Sequence, residues 1–259
     1  MVAVKVCLLL CATGAQLYAL TPPNSTPDSK ERLKHIGTEL IIWVVVLMKV
    51  HTFYCQFQSI LHLTECLFIK NIPCACALAE FFVALATAHE SAISSSIISL
   101  LVRSQSLPDF DLTVSTPALI AGSCLTVIGC AIRTQCFRTL GRLFTFELSI
   151  RQGHKLVTSG PYSIVRHPSY SAGWFLFPGI LLCHLHPQSW LVTCSGIFPS
   201  SDQAVKWTLT CIWISLCCFF YNVVGSRVRK EEEMLEEHFG DEWKCYTKKV
   251  PYKLVPWLY

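Results

Sequence analysis

Ala118-Leu119-Ile120-Ala121-Gly122-Ser123-Cys124-Leu125-Thr126-Val127-Ile128-Gly129-Cys130-Ala131-Ile132 carries no charge and is closed by Arg133. Such a run reads as a helix in lipid, because hydrocarbon offers the backbone no partner and a helix satisfies its own hydrogen bonds. Gly122, Ser123 and Gly129 are small, so a neighbouring helix can approach closely. Tyr170 to Leu185 and Lys206 to Gly225 are further apolar runs, and Ile72 to Val102 is a longer one holding Glu80, His89 and Glu90. Ionisable groups are costly in lipid, so these belong in the protein interior or at the interface, and Glu90 is expected at a membrane edge. Trp174, Trp190, Trp207 and Tyr221 mark segment ends in the manner of interfacial belts.

The rest of the composition agrees. Charged residues are 15% and hydrophobic ones 52% of the 259 residues. Soluble domains carry about 25% charged residues. A net charge of +4, with no long basic block, leaves no electrostatic footprint for nucleic acid. The 15 cysteines lie largely in apolar runs, where a free thiol behaves as a small hydrophobe. No paired Cys-x-x-Cys pattern is present, and Cys74 and Cys76 are too close for a structural zinc site, so no metal is expected.

Val2 to Leu20 reads as either a signal peptide or a first membrane helix. Thr21-Pro22-Pro23-Asn24-Ser25-Thr26-Pro27 then forms a loop, and its Asn-Ser-Thr sequon is taken as nothing more. Leu40 to Met48 is short for a span, and His51 to Lys70 fits an amphipathic helix. The expectation is an all-α, polytopic membrane protein with about five transmembrane helices. From Arg227 to Tyr259 the character changes, with seven basic and seven acidic side chains in 33 residues. This part belongs in water. Arg227 to Phe239 reads as a helix closed by Gly240. Residues 1–135 are expected to hold the N-terminal helices and 136–259 the functional region, within one structural unit.

Polar chemistry is concentrated in Leu140-Gly141-Arg142-Leu143-Phe144-Thr145, in His154-Lys155-Leu156-Val157-Thr158-Ser159-Gly160-Pro161-Tyr162, in Ser163-Ile164-Val165-Arg166-His167-Pro168-Ser169-Tyr170, and from Arg227 and Glu231 to Phe239-Gly240-Asp241-Glu242-Trp243. Each has a plain structural reading. Gly160-Pro161 is a turn signal, Arg166 and His167 can mark the positive side of a bilayer, and Arg227 with Glu231 can be an exposed ion pair. Together they also supply what carboxyl methylation needs. An aromatic face and a carboxylate accommodate a sulfonium, and an arginine grips a carboxylate.

The string His-x-Leu-Val-Thr-Ser-Gly-Pro-Tyr followed by Val-Arg-His-Pro-Ser-Tyr resembles the isoprenylcysteine carboxyl methyltransferase family. So does Arg227-x-x-x-Glu231 with Phe239-Gly240-Asp241-Glu242-Trp243, Tyr246, Val250-Pro251 and Pro256. The resemblance covers roughly residues 136–259, and the Thr-Pro-Pro-Asn turn looks like fungal-type members. It implies an S-adenosylmethionine-dependent enzyme of the endoplasmic reticulum membrane, with a cytosolic C-terminal tail completing the site. It implies that prenylated CAAX-type proteins are the substrates, met at the membrane lipid. By resemblance, His154, Lys155, Leu156, Val157, Tyr162, His167, Pro168, Ser169, Tyr170 and Glu231 bind the cofactor. Arg227 faces the substrate carboxylate, with Arg166 as a second candidate. Glu147 stands where the family often has glutamine. Phospholipid N-methyltransferases and sterol-type reductases resemble the same C-terminal region, and a non-catalytic membrane protein is the reading from another class.

Overall fold

The computed structural model describes residues 2–25, 54–89, 91–103, 114–199 and 201–258, and for 54–70 the backbone alone. Its regular elements are helices: α1 (Val2–Ala19), α2 (Tyr54–Ala88), α3 (Ala92–Leu101), α4 (Pro117–Leu140), α5 (Pro168–His184), α6 (Asp202–Phe239) and α7 (Asp241–Lys249). Single turns lie at Gly141–Leu143, Gly160–Ser163 and Trp190–Thr193. Among the described residues, four helical stretches are long and apolar enough to cross a membrane: Val2–Ala19, Asn71–Ala88, Pro117–Leu143 and one within Asp202–Phe239. The run expected at Tyr170–Leu185 forms α5, which has 17 residues and contains Pro178. The expected segment Leu40–Met48 and the expected edge residue Glu90 lie outside the described residues.

The sequence run that ends at Arg133 is the first part of a longer helix, since α4 continues to Leu140. Thr116 caps it by accepting from Leu119 N, and Pro117 takes the first helical position, where its missing N–H costs nothing. Glycines let α4 and α5 touch backbone to backbone. A Cβ on Gly122 would lie 2.8 Å from Gly179 O, and one on Gly129 would lie 2.9 Å from Ala172 O. Reciprocally, a Cβ on Gly179 would meet Thr126 Oγ1 at 2.6 Å.

Helix α1 is built into this pair. Leu9 and Ala12 pack with Leu119 and Cys183. Lys5 forms an ion pair of 2.8 Å with Glu80 of α2, the two side chains being only 1% and 3% exposed. Glu80 also accepts from Trp190 N at 3.3 Å, and Trp190 Nε1 donates to Leu101 O at 3.0 Å. Val2–Ala19 is long and apolar enough to cross a membrane. The Asn24 side chain of the sequon is engaged, donating to Gly141 O at 2.9 Å and Phe144 O at 2.8 Å.

The sequence reading divided Lys206–Gly225 from Arg227–Phe239, but the structure joins them in one 38-residue helix, α6. Gly225 does not break it, because its small helix penalty is outweighed by the good helix formers from Arg227 onward, while the apolar residues before it have no backbone partner in lipid other than the helix itself. At 1.5 Å per residue α6 is about 57 Å long, nearly twice the hydrocarbon core, so only part of it can sit in lipid. Residues 207–226 carry no charge, and charge begins at Arg227. Aromatic side chains bridge α6 to α5: Phe177 and Phe220 stack at 4.5 Å, and Trp174 meets Phe220 edge-on. Gly240, at φ +53°, ends α6 and starts α7, the left-handed position that glycine adopts without a Cβ penalty. The division expected at residues 135 and 136 falls inside α4.

Candidate active site

One pocket collects the polar clusters of the sequence. Its walls are the C-terminal turns of α4, the loop from Leu143 to Val157, the start of α5, the charged half of α6, and α7. Three local features shape it. Gly160, at φ +61°, sits against the Thr139 side chain and turns the loop into its 3₁₀ turn. Tyr246 of α7 donates to Tyr162 O at 2.7 Å, which fixes α7 across that turn. Trp243, Tyr246 and Val250 then form a small core with Leu156, Leu235 and Phe239.

Tyr170 lies between the pocket's two charged groups. Its hydroxyl donates to Glu231 Oε2 at 2.8 Å and accepts from Arg227 Nε at 3.3 Å. Arg227 and Glu231, one turn apart on α6, therefore meet through Tyr170. Arg227 also donates through Nη2 to Phe146 O.

His167 backs the acidic group. Its Nδ1 lies 3.5 Å from Glu231 Oε1 and its Nε2 lies 3.4 Å from Glu232 Oε1, with the ring 1% exposed. Both nitrogens face carboxylates, an arrangement that favours the doubly protonated ring. Burial alone would lower its pKa, but the two carboxylates outweigh burial and raise it. Glu231 and Glu232 lie in the charged half of α6, outside lipid. Burial would raise both, yet hydrogen bonds from His167 and its neighbours lower them, Glu232 to about 2.

Arg133 of α4 lines the same pocket. Its guanidinium lies over the Phe146 ring at 4.5 Å, and its buried Nε has no hydrogen-bond partner. A buried donor left without a partner is costly, and a ligand anion is one way to satisfy it. The pocket thus has a cationic side, Arg133 with Arg227, and an anionic side, Glu231 held by His167.

Arg166 is committed elsewhere. Its Nε donates to Glu232 Oε1 at 2.7 Å, and Nη1 donates to Val250 O at 2.9 Å and Pro251 O at 2.8 Å. It ties the C-terminal segment to the start of α5. His154 lines the loop side. Its Nδ1 accepts from Arg151 N at 3.4 Å, which leaves Nε2 to carry the proton in the neutral ring. Burial first, and then His238, lower its pKa, with Glu231 opposing them, so the ring stays neutral near pH 7.

Glu147, His154, Lys155, Leu156, Val157, Tyr162, Arg166, His167, Ser169, Tyr170, Arg227 and Glu231 all line this pocket. Pro168 does not, and instead occupies the first position of α5. Sequence reasoning missed Arg133, Phe146 and Glu232 as pocket or supporting residues, and it quoted Trp243 and Tyr246 in the motif without giving them a role in the site. Arg133 was legible only as a charge closing an apolar run, and Glu232 only as one member of an acidic triplet.

The lining chemistry suits a ligand that carries both a cation and a flat ring. A carboxylate and tyrosines suit a cation, and aliphatic and aromatic walls suit a flat ring. Residues 122–199 match the family model of the Isoprenylcysteine carboxyl methyltransferase (ICMT) family. "Protein-S-isoprenylcysteine O-methyltransferase B" of Arabidopsis thaliana is 33% identical over 132 residues, 50% of this chain and 55% of the relative. The protein-S-isoprenylcysteine O-methyltransferase of Saccharomyces cerevisiae is 30% identical over 168 residues, 62% of this chain and 61% of the relative. A "Delta(14)-sterol reductase TM7SF2" of Mus musculus is 24% identical over 112 residues, 41% of this chain and 20% of the reductase. The matches span a little over half the length of the two methyltransferases, and they assign no fungal subtype. In its motifs and over about half its length, the chain is similar to the isoprenylcysteine carboxyl methyltransferase family.

Proposed function

We propose that this chain transfers a methyl group from S-adenosylmethionine to the C-terminal carboxylate of S-prenylated cysteine in prenylated proteins. The reaction takes place at the endoplasmic reticulum membrane, with the tail and the pocket on the cytosolic side. The observation that carries this reading is the two-sided pocket, in which Tyr170 joins Arg227 to Glu231 and Arg133 lacks a partner for Nε.

When bound, S-adenosylmethionine supplies an electrophilic methyl group on a sulfonium. Glu231 and the ring of Tyr170 favour a cation beside them, and His154 Nε2 offers one neutral donor. Arg227 and Arg133 hold the acceptor carboxylate. That carboxylate is ionised at neutral pH, since a free α-carboxyl group titrates at about 3.5, so no general base is required. Two arginines whose donors are partly spent on Phe146 and Tyr170 orient the carboxylate without quenching it. An anion and a cation are converted to neutral products, which a water-poor pocket favours. Arg166 acts at one remove, holding the C-terminal segment. The prenyl chain reaches the pocket sideways from lipid, where α5 and α6 are separated by aromatic rings rather than by touching backbones.

The test supplies labelled S-adenosylmethionine to membranes expressing the chain, with a prenylcysteine and with endogenous phospholipid as competing acceptors. The expected product is a base-labile methyl ester of the prenylcysteine. Label confined to phospholipid would replace this reading with N-methylation. Absence of S-adenosylmethionine binding, with NADPH oxidised in the presence of a sterol, would replace it with the reductase.

A further inference from the structure

Beyond α7 the chain runs back along the start of α5 as an extended strap. Five consecutive carbonyls, from Val250 to Leu254, are all bound. Arg166 Nη1 donates to Val250 and Pro251, Arg166 N to Tyr252 at 2.9 Å, His167 N to Lys253 at 2.9 Å, and Ser171 Oγ to Leu254 at 2.5 Å. Lys253 Nζ adds an ion pair of 2.7 Å to Glu232. The strap is therefore fixed in height along α5 and α6.

That height is set by Leu254, which is buried with Val224, Val228, Phe220 and Tyr170. Val224 lies in the last uncharged turn of α6 before Arg227. The uncharged stretch 207–226 is twenty residues long, the length that crosses a hydrocarbon core. Trp207 opens it and Tyr221 lies about a turn and a half before its other end, 64% and 65% exposed, as interfacial aromatics are. Leu254 thus packs beside the last apolar turns of α6, next to where its charge begins at Arg227.

The residues that leave the strap here are apolar and uncovered. Trp257 is 86% exposed and Leu258 82%, with Val255 at 40%. Leu258 N donates to Val255 O at 3.2 Å, so the tail is a closed turn and not a frayed end. Trp257 sits at φ +62°, a backbone region that bulky residues rarely adopt and that here belongs to the turn. A tryptophan and a leucine on one short turn, with the exposed Lys248 and Lys249 just before the strap, have the chemistry of a lipid headgroup boundary.

We infer that Val255, Trp257 and Leu258 form a membrane-interface anchor, seated in the lipid headgroup–acyl boundary beside the end of the α6 span. The anchor holds the strap, and through it the Arg166–Glu232–His167 contacts at the back of the pocket. It needs no assumption about the reaction.

The test places a photoreactive phenylalanine analogue at position 257 of the full chain in phosphatidylcholine vesicles. The same probe at Ile214, on the lipid-facing part of α6, and at Glu237, on its charged part, gives the two reference levels. Thermal unfolding of each labelled protein confirms that it is folded, which an exposed position such as 257 permits. The expected result is lipid adduct at 257 close to that at 214 and several-fold above that at 237. Adduct no greater than at 237 puts the tail in water and overturns the anchor. Crosslinks between two chains, or back to the same chain, overturn it in favour of a protein-covered surface. None of these outcomes depends on methyl transfer, so a failed anchor leaves the proposed function standing.

Discussion

At the scale of single residues, Glu231 and His167 divide the work of the anionic side. Glu231 accepts from Tyr170 and faces His167, and hydrogen bonds to charged groups are each worth about 1.5–3 kcal/mol. Glu231→Gln is therefore expected to weaken S-adenosylmethionine binding by about 10- to 100-fold, read by equilibrium binding of labelled cofactor. Unchanged affinity would remove Glu231 from the cofactor's surroundings. The pH dependence follows from His167. Its pKa is raised above the ordinary 6.5, so the stability it adds is complete below that value and is lost as pH rises through the elevated one. Glu232, lowered to about 2, adds stability above its ordinary 4.5 and loses it only toward strong acid. The melting-temperature gap between the parent and His167→Gln should be widest at about pH 6 and should shrink as the solution becomes alkaline. A gap that widens with rising pH would show that the ring is neutral in the fold.

At the scale of elements, glycines behave oppositely according to what faces them. Gly122 and Gly129 sit against the α5 backbone, whereas a Cβ on Gly225 meets nothing within 4 Å. Gly129→Val should destabilise by about 1–3 kcal/mol through overpacking, while Gly225→Ala should stabilise by about 0.5–1 kcal/mol. Thermal unfolding in one detergent compares both, and equal effects would contradict the helix seam. The seam was legible because small residues recur on an apolar run. The continuity of α6 was not legible, because a change from apolar to charged composition looks the same whether the helix stops or leaves the membrane. Gly240 was readable as a helix end, since a left-handed turn after a helix favours glycine. The motif residues were readable as one site because they are close in sequence or recur in a known pattern. Arg133 and Phe146 were not, because only folding brings the end of α4 and the following loop to the same pocket.

At the scale of the whole molecule, charge is kept to two levels. Lys5 and Glu80 are buried together away from the pocket, and the pocket's own charges gather where α4 ends and α5 begins. Removing one partner of a buried ion pair costs about 3–5 kcal/mol, whereas replacing both with apolar residues is often close to neutral. Lys5→Leu alone is thus expected to lower the melting temperature more than Lys5→Leu combined with Glu80→Leu. The reverse order would mean that α1 is not locked to α2 by this pair. The central claim concerns the other level, where Arg227 meets an acceptor carboxylate. The most direct test is methyl transfer from labelled S-adenosylmethionine to N-acetyl-S-farnesylcysteine, comparing membranes that express the parent chain with membranes that express Arg227→Ala. A base-labile methyl ester formed by the parent and lost in the variant, with cofactor binding retained in both, is the predicted result. Equal ester formation by the two would contradict the role of Arg227, and no ester from a folded, cofactor-binding parent would contradict the prenylcysteine acceptor itself.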